Sequence, residues 1–186
     1  FFGITADKKI IQWPDNYYGF RDSGAENKNT TPGVIKISPI EDGIALLDES
    51  YRLSCIGESE FCQSLPEELS NQQATHLVSI LPCPLVRTID GKIFSECPSD
   101  NETGIPEKIL KILNKEKDTV VDIAADQIAF AILTKQGKVI TWSPIHHNIQ
   151  LPRHIQQIVD KTTIKRLHSA ENHISIETVD GAIHSC

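Results

Sequence analysis

Apolar and polar positions along the chain form one pattern that recurs five times. Each copy has an apolar segment, a short polar turn and a second apolar segment, which is the pattern of a β-hairpin. The copies cover residues 4–13, 46–55, 87–96, 133–142 and 177–186. Their last residues are separated by 42, 41, 46 and 44 residues. Five hairpins at so regular a spacing predict a repeat architecture.

The segments between the hairpins repeat as well, because each carries a proline followed by an apolar run. The prolines are Pro32, Pro66, Pro106 and Pro152, and the runs are 34–37, 77–80, 120–123 and 164–167. One repeat thus holds a proline-led segment, an inner strand and a hairpin, about four strands in roughly 40–45 residues, the size of a propeller blade. We predict an all-β fold, a β-propeller of 42–46-residue repeats with four to five blades, as a single domain over residues 1–186.

The hairpin turns carry specific chemistry. Asp90-Gly91 and Asp180-Gly181 predict two-residue type I′ turns, which require positive φ at both central residues, and Gln136-Gly137 fits the same role. Two linkers, 106–115 and 152–159, have apolar residues at helical spacing, and short helices and edge strands are equally consistent with them. The alternation in the fourth repeat predicts a set of residues that pack between blades: Val121, Ile123, Phe130, Ile132, Val139 and Trp142.

Composition excludes several classes of protein. Apolar residues make up 39% of the 186 residues and charged residues 23%, as in globular proteins with a buried core. The net charge of −7 argues against nonspecific binding to nucleic acid. No apolar run reaches the roughly 18–20 residues that span a bilayer. The five cysteines lack zinc-ligand spacing and favour a reducing, cytoplasmic compartment, with Cys83 as a buried or loop thiol.

No residue pattern predicts catalysis, a cofactor or a metal. Nucleophile motifs and phosphate-binding glycine loops are absent from the sequence. His146, His147 and His154 are predicted to be surface histidines, because adjacent histidines on a strand point to opposite faces and rarely share one ion. Cys186 could be interpreted as the site of a lipid anchor, but its position in the repeat favours an ordinary cysteine in a β-strand.

One repeat resembles a known family. Residues 120–142, V-V-D-I-A-A-D-Q-I-A-F-A-I-L-T-K-Q-G-K-V-I-T-W, look like a repeat of the regulator of chromosome condensation family of β-propellers. His173 precedes Gly181 by eight residues, the His-to-Gly spacing of the family, and residues 14–20 resemble its W-G-x-N-x-x-G-Q-L-G segment. The copy is degenerate, as in the regulator-like effectors of intracellular bacteria. The family's ring usually has seven blades, which need roughly 300 residues, so a smaller ring and a fragment both stay open.

The resemblance implies a protein-binding propeller that acts on a small GTPase of the Ran type. Such a protein promotes nucleotide exchange or holds the active form, and guanine-nucleotide release is the one activity that the resemblance implies. The alternative is a propeller scaffold or inhibitor that binds another protein. The resemblance also implies a cytoplasmic location, the host cytosol for a bacterial effector, and a bracing hydrogen bond from His173 within its own blade.

Charge is concentrated in the second repeat. Residues 41–68 hold eight acidic residues and one basic residue, a net charge of −7. The loop after the second hairpin is the predicted partner-binding patch, which comprises Glu58, Glu60, Phe61, Glu67 and Glu68. An acidic rim around an aromatic anchor attracts a basic partner surface. In the alternative, Phe61 and Leu65 lie between blades and the acids only solvate the surface. The basic residues at 161–168 are predicted to be plain surface.

Overall fold

The computed structural model describes residues 2–4, 6, 10–12, 33–40, 43–57, 61, 69, 73–80, 83–95, 104–116, 118–144, 149–170 and 172–185. The strands in these ranges form a series of antiparallel sheets in chain order. They are β1 (Phe2–Ile4), β2 (Ile10–Gln12), β3 (Val34–Ile40), β4 (Gly43–Asp48), β5 (Leu53–Gly57), β6 (Ala74–Ile80), β7 (Cys83–Thr88), β8 (Ile93–Ser95), β9 (Val120–Ala125), β10 (Phe130–Thr134), β11 (Val139–Trp142), β12 (Ile164–Ser169), β13 (Ile174–Thr178) and β14 (Ile183–Ser185). Two helices, α1 (Glu107–Glu116) and α2 (Arg153–Val159), lie between sheets in the chain.

The strands make one hairpin and four three-stranded sheets. Hairpin A is β1–β2, and the blades are B (β3–β4–β5), C (β6–β7–β8), D (β9–β10–β11) and E (β12–β13–β14). The first strands of successive blades, β3, β6, β9 and β12, lie side by side and are called here the inner strands. The prediction of an all-β fold is confirmed, with three strands in each blade instead of four in the described part of the chain.

The hydrophobic core is divided into layers, one for each pair of neighbouring sheets. Leu47 of blade B packs with Leu77 and Val86 of blade C. Ile80 of blade C packs with Phe130 of blade D, and the next layer joins blades D and E. Hairpin A adds to the layer at the other side of blade B. Each blade therefore buries apolar side chains only by stacking on its neighbours.

The two linkers with helical periodicity are helices, which decides between the alternatives left open by the sequence. Ile109 of α1 is buried in the layer between blades C and D. Ile155 of α2 is buried in the corresponding layer between blades D and E. Trp142 secures the approach to α1, because its indole Nε1 donates a hydrogen bond to the Gly104 carbonyl at 2.6 Å. None of the described helices is long and apolar enough to cross a bilayer.

The hairpin turns differ from the prediction. Gly91, Gly137 and Gly181 have positive φ, but Asp90 and Asp180 do not. The amide of Gly91 bonds to the carbonyl of Thr88 at 3.0 Å, and the same bond recurs from Gly137 and Gly181. These are type I turns followed by a left-handed residue, the three-residue hairpin loop, so the predicted type I′ turn is wrong. A side chain at the head of each loop accounts for the difference, since Thr88 Oγ1 hydrogen-bonds both Asp90 and the carbonyl of Lys92.

The same loops also join neighbouring blades. The carbonyl of Tyr51, the left-handed residue of the blade B loop, accepts from the amide of Ala74 at 2.8 Å. The carbonyl of Gly91 accepts from the amide of Val120 at 3.0 Å. In each case the donor is the first residue of the next inner strand. The hairpin loop therefore sets the position at which the following blade begins.

Each inner strand contains a register shift after its first residue. In blade D, Val120 is buried and Val121 is 37% exposed, while Ile123 is buried again. A bulge inserts one unpaired residue and reverses the side-chain alternation that follows. The prediction that Val121 packs between blades is therefore wrong. Ile123, Phe130, Ile132 and Trp142 are buried as predicted, and Val139 is partly buried.

We predict that Gly91→Ala lowers the free energy of unfolding more than Gly137→Ala or Gly181→Ala. All three positions are left-handed, which costs an alanine roughly 1 kcal/mol or more. Only at Gly91 does an added Cβ meet a neighbouring blade, 2.8 Å from Thr119 Cβ and 2.9 Å from the Val120 carbonyl. We expect an additional loss of about 1–3 kcal/mol there. Urea denaturation measures it, and equal losses at all three glycines would contradict the loop-to-blade contact.

Candidate functional site

Charged side chains from four successive blades come together along the inner strands. Lys36, His76, Asp122 and Arg166 each occupy the third position of an inner strand, directly after the bulge. Arg87 lies opposite His76 on β7. We call Lys36, His76, Arg87, Asp122 and Arg166 the axial cluster. It combines three permanent cations, one histidine and one carboxylate.

Asp122 is the buried member of the axial cluster, at 8% exposure. Its Oδ2 accepts a hydrogen bond from the Leu167 amide of blade E at 2.8 Å, and its Oδ1 accepts from the Ile123 amide at 3.0 Å. His76 Nε2 of blade C lies 3.5 Å from the same Oδ1. One carboxylate therefore contacts the blades on both sides of its own.

Arg87 is held in place by hydrogen bonds to blades C and D. Its Nε donates to the Val120 carbonyl of blade D at 2.6 Å, and one terminal nitrogen donates to Thr75 Oγ1 at 2.6 Å. That terminal nitrogen also lies 3.4 Å from His76 Nδ1. Because a guanidinium only donates, this contact requires the tautomer of His76 that carries the ring proton on Nε2, facing Asp122. Nδ1 also lies 3.2 Å from Thr75 Oγ1.

The surroundings shift the pKa values of the cluster. Burial lowers the pKa of His76, Asp122 opposes that shift, and Arg87, Lys36 and Arg166 add to it. Burial also lowers the pKa of Lys36 and of Arg87, against the attraction of Asp122. Water reaches Lys36, yet protein surrounds its ammonium closely enough to desolvate it. These shifts show that the cations of blades B, C and E all lie within electrostatic reach of one centre.

A second ionic group lies on blade E beside the cluster. Glu177 on β13 accepts from Lys165 Nζ at 2.5 Å and contacts His168 Nε2 at 3.0 Å. Hydrogen bonds from both lower the pKa of Glu177. Arg166 has no salt bridge or side-chain hydrogen bond within the described part of the chain. Glu177 also lies directly opposite Arg166 in the register of β12 and β13, so this carboxylate borders the axial cluster.

The predicted partner-binding patch is described in part. Phe61 is 3% exposed and packs between blades B and C, as in the alternative that places it in the core. Glu58, Glu60, Glu67 and Glu68 lie outside the described residues, as does Leu65. The acidic patch therefore stays a prediction.

Two other residues differ from expectation. The His173 side chain is exposed, and it makes no hydrogen bond to any of the described residues. Its blade is braced by backbone instead, because the Ala170 amide donates to the His173 carbonyl at 3.1 Å. Cys83 is buried, but it is disulfide-bonded, so the predicted thiol is wrong. Sequence spacing cannot show such a bond, since it joins residues that only the fold brings together.

Of the three histidines considered as metal ligands, one lies within the described residues. His154 is an exposed residue of α2, and His146 and His147 lie outside the described residues, as does Cys186. The axial cluster itself was missed by sequence analysis. Aligning the four inner strands on their buried first residues would have found it, since the third position is polar in every one: Lys36, His76, Asp122 and Arg166.

We predict that His76 makes the protein less stable in mild acid. Its pKa in the folded state is lowered below its ordinary value by burial, so the unfolded chain takes up a proton first as the pH falls below about 6.5. The free energy of unfolding then falls until the folded-state pKa is reached. The side chain is 39% exposed, so solvent screening limits the effect to a few tenths of a kcal/mol.

Urea denaturation of the wild type and His76→Gln between pH 7.5 and 5.5 measures this loss. The wild type should lose more stability than His76→Gln over that range. His154→Gln serves as the control, because His154 is exposed on α2. Identical pH slopes for all three proteins would contradict the role assigned to His76.

Comparison with known proteins rests on structure. No protein-family model and no curated protein matches the chain by sequence. The fold is similar to that of human WBSCR16, with a TM-score of 0.60 and 13% identity over 86% of this chain and 49% of that one. The CRINKLY WD40 ectodomain of the Arabidopsis thaliana receptor kinase ACR4 gives a TM-score of 0.54 and 9% identity over 82% and 52% of the two chains.

A third similar structure, that of yeast Prp20p, concerns the resemblance to regulator of chromosome condensation proteins. Prp20p from Saccharomyces cerevisiae, described with its binding to Gsp1p and histones, gives a TM-score of 0.51 and 15% identity over 82% of this chain and 44% of that one. The chain thus spans about half the length of each of these three solved chains. At these identities the likeness concerns the fold alone. The chain is built from consecutive β-propeller blades that distantly resemble those of regulator of chromosome condensation proteins.

Proposed function

We propose that this chain is a protein-binding propeller that acts on a small GTPase, by promoting nucleotide exchange or by holding the active form. The observation that supports the proposal is the succession of blades similar to Prp20p, which is described with its binding to Gsp1p. The same yeast protein, RCC1 (Prp20), has been solved bound to Kap60. Both descriptions concern the binding of this one yeast protein to other proteins.

Exchange by such a protein needs a surface and no acid, base or metal. A loop of the propeller presses on the switch and phosphate-binding region of the GTPase, and contacts with protein replace contacts with nucleotide. Stacked blades are suited to this task because the layers between them hold the loops in fixed positions. Loops on a rigid scaffold commonly carry the binding function.

The loop after blade B is the proposed contact. Phe61 and Leu69 are both buried in the layer between blades B and C, so the chain is anchored at both positions. Glu58, Glu60, Glu67 and Glu68 lie next to these anchors in the sequence. We propose that these four glutamates attract a basic surface of the partner, which raises the rate of association.

A nucleotide-release assay tests the proposal. Small GTPases of different subfamilies, Ran included, are loaded with a fluorescent GDP analogue, and its release is followed with and without the propeller chain. We expect at least a tenfold faster release from one of them. Immobilised chain should also retain that GTPase in a pull-down.

The outcomes of this assay separate the two proposed functions. Retention of the GTP-loaded GTPase alone, without faster release from its GDP form, would support a protein that holds the active form. Retention that does not depend on the bound nucleotide, without faster release, would support a scaffold or inhibitor. Unchanged release rates and no retention of any GTPase would contradict both forms of the GTPase proposal. Circular dichroism of the same preparation, with the spectrum of a β-protein, confirms that the chain tested is folded.

We predict that changing Glu58, Glu60, Glu67 and Glu68 together to Gln slows association with the partner and flattens its salt dependence. Screening shortens the reach of exposed charges to about 8 Å at physiological ionic strength, so the loss should be largest at low salt. Stopped-flow or surface binding kinetics between about 20 and 300 mM salt measures the effect.

A charge-matched variant controls for net charge. It replaces four acids elsewhere in the sequence, as Glu107→Gln, Glu116→Gln, Asp160→Asn and Glu171→Gln. Equal association rates for the wild type and both variants would show that the glutamates of the blade B loop only solvate the surface.

We further propose a cytosolic location, the host cytosol if the chain is a bacterial effector. The proposal follows from the partner, because small GTPases act in the cytosol and nucleus. The disulfide at Cys83 weighs against it, since disulfides persist mainly in oxidising compartments. Fractionation of the expressing cells shows whether the chain is cytosolic or lies in an oxidising compartment. Its intact mass, measured with and without reductant, shows whether the disulfide at Cys83 is present there.

A further inference from the structure

We propose that the axial cluster is a binding site for a phosphate-type dianion, held by Lys36 and Arg166 with Arg87 behind them. The inference rests on the propeller fold and the contacts of the inner strands, and it is independent of any GTPase. It assigns phosphate binding to residues that belong neither to the hydrophobic core nor to the predicted partner-binding patch.

The charge balance of the cluster favours an anion with two charges. Lys36, Arg87 and Arg166 are the cations of the cluster, and Asp122 is its carboxylate. Glu177 lies opposite Arg166 in the register of β12 and β13, and Lys165 Nζ at 2.5 Å balances its charge. Asp90 attracts Arg87 too, but it lies in the hairpin loop and pairs with Lys92 at 3.2 Å. Two positive charges are therefore left without a counter-ion in the described part of the chain. A phosphate monoester or inorganic phosphate supplies that charge on one tetrahedral group.

Asp122 attracts Lys36 and Arg87 but makes no salt bridge to Lys36, Arg87 or Arg166 among the described residues. Both of its oxygens accept backbone hydrogen bonds, from Ile123 at 3.0 Å and from Leu167 at 2.8 Å. Amide donors of this kind stabilise a carboxylate without a cation. Its role is to join blades D and E and to orient His76. The cations around it are consequently available to an external anion.

The cationic groups are also arranged to lose little freedom on binding. Arg87 is fixed by its bonds to Val120 and Thr75, which leaves its charge in a constant place. Lys36 and Arg166 reach water but have no salt bridge or side-chain hydrogen bond among the described residues. Burial lowers the pKa of Lys36 against the attraction of Asp122, although the side chain is exposed to water. An arriving oxyanion replaces the missing hydration.

Isothermal titration calorimetry with inorganic phosphate tests the site directly. We expect saturable binding of one phosphate per chain at low ionic strength. Thermal unfolding at constant ionic strength should show a rise in Tm with phosphate that chloride does not reproduce, because a ligand bound only to the folded state stabilises it. O-phosphoserine, titrated in parallel, distinguishes a phosphate monoester from free phosphate as the preferred source.

Variants locate the site. Lys36→Gln and Arg166→Gln, singly, should each weaken phosphate binding at least tenfold. Lys108→Gln with Arg153→Gln, exposed on α1 and α2, removes two charges and should leave the affinity within twofold. Asp122→Asn keeps an acceptor for the Leu167 amide and removes the carboxylate charge, so it should tighten binding severalfold.

Apart from the result with Asp122→Asn, three results would overturn the proposal. They are no saturable phosphate binding by the folded wild type, equal weakening in the α1–α2 control, and acetate binding as tightly as phosphate. The Asp122→Asn variant makes the test independent of loss of folding, because the proposal requires a gain there. Unchanged or weaker phosphate binding by folded Asp122→Asn would show that the cluster only joins the blades.

Discussion

The structure depends on one constraint: a three-stranded blade has two apolar faces and cannot bury either of them alone. The middle strands show this most clearly, since all five residues of β10 and five of the six in β4 are buried. In a single sheet at least one of these faces would be in water. Stacking successive blades removes both faces from water and produces the layered core. Interfaces between neighbours, repeated along the chain, therefore carry most of the stability.

The same constraint explains which sequence features persist from repeat to repeat. The first residues of the inner strands, Val34, Ala74, Val120 and Ile164, are all apolar and buried. The third positions follow a bulge, and of their four side chains only that of Asp122 is buried. They are occupied by a lysine, a histidine, an aspartate and an arginine. Packing therefore determines the apolar residues between the blades, whereas charged and polar residues occupy the third positions of the inner strands.

The repeat period and the strands of each hairpin could be predicted from the sequence because alternation and spacing are local properties. The turn type could not, because it depends on the buried threonine at the head of the loop. Thr88 bonds to Asp90 and to the Lys92 carbonyl, which favours the longer loop. Val121 was misplaced because a bulge is set by pairing with the next strand. The axial cluster joins residues from four repeats, so no single repeat could reveal it, and the acidic patch is known from its sequence alone.

Hydrogen exchange at the amides of Ala74 and Val120 tests the stacking of blades most directly. Each of these amides bonds to the hairpin loop of the preceding blade, to Tyr51 and Gly91 respectively. Stacked blades predict that both protons exchange only through unfolding of two neighbouring blades together, as slowly as the amides of β4 and β7. Exchange as fast as that of the outer strand β14, with β4 and β7 still protected, would show that the blades fold separately and would contradict the account.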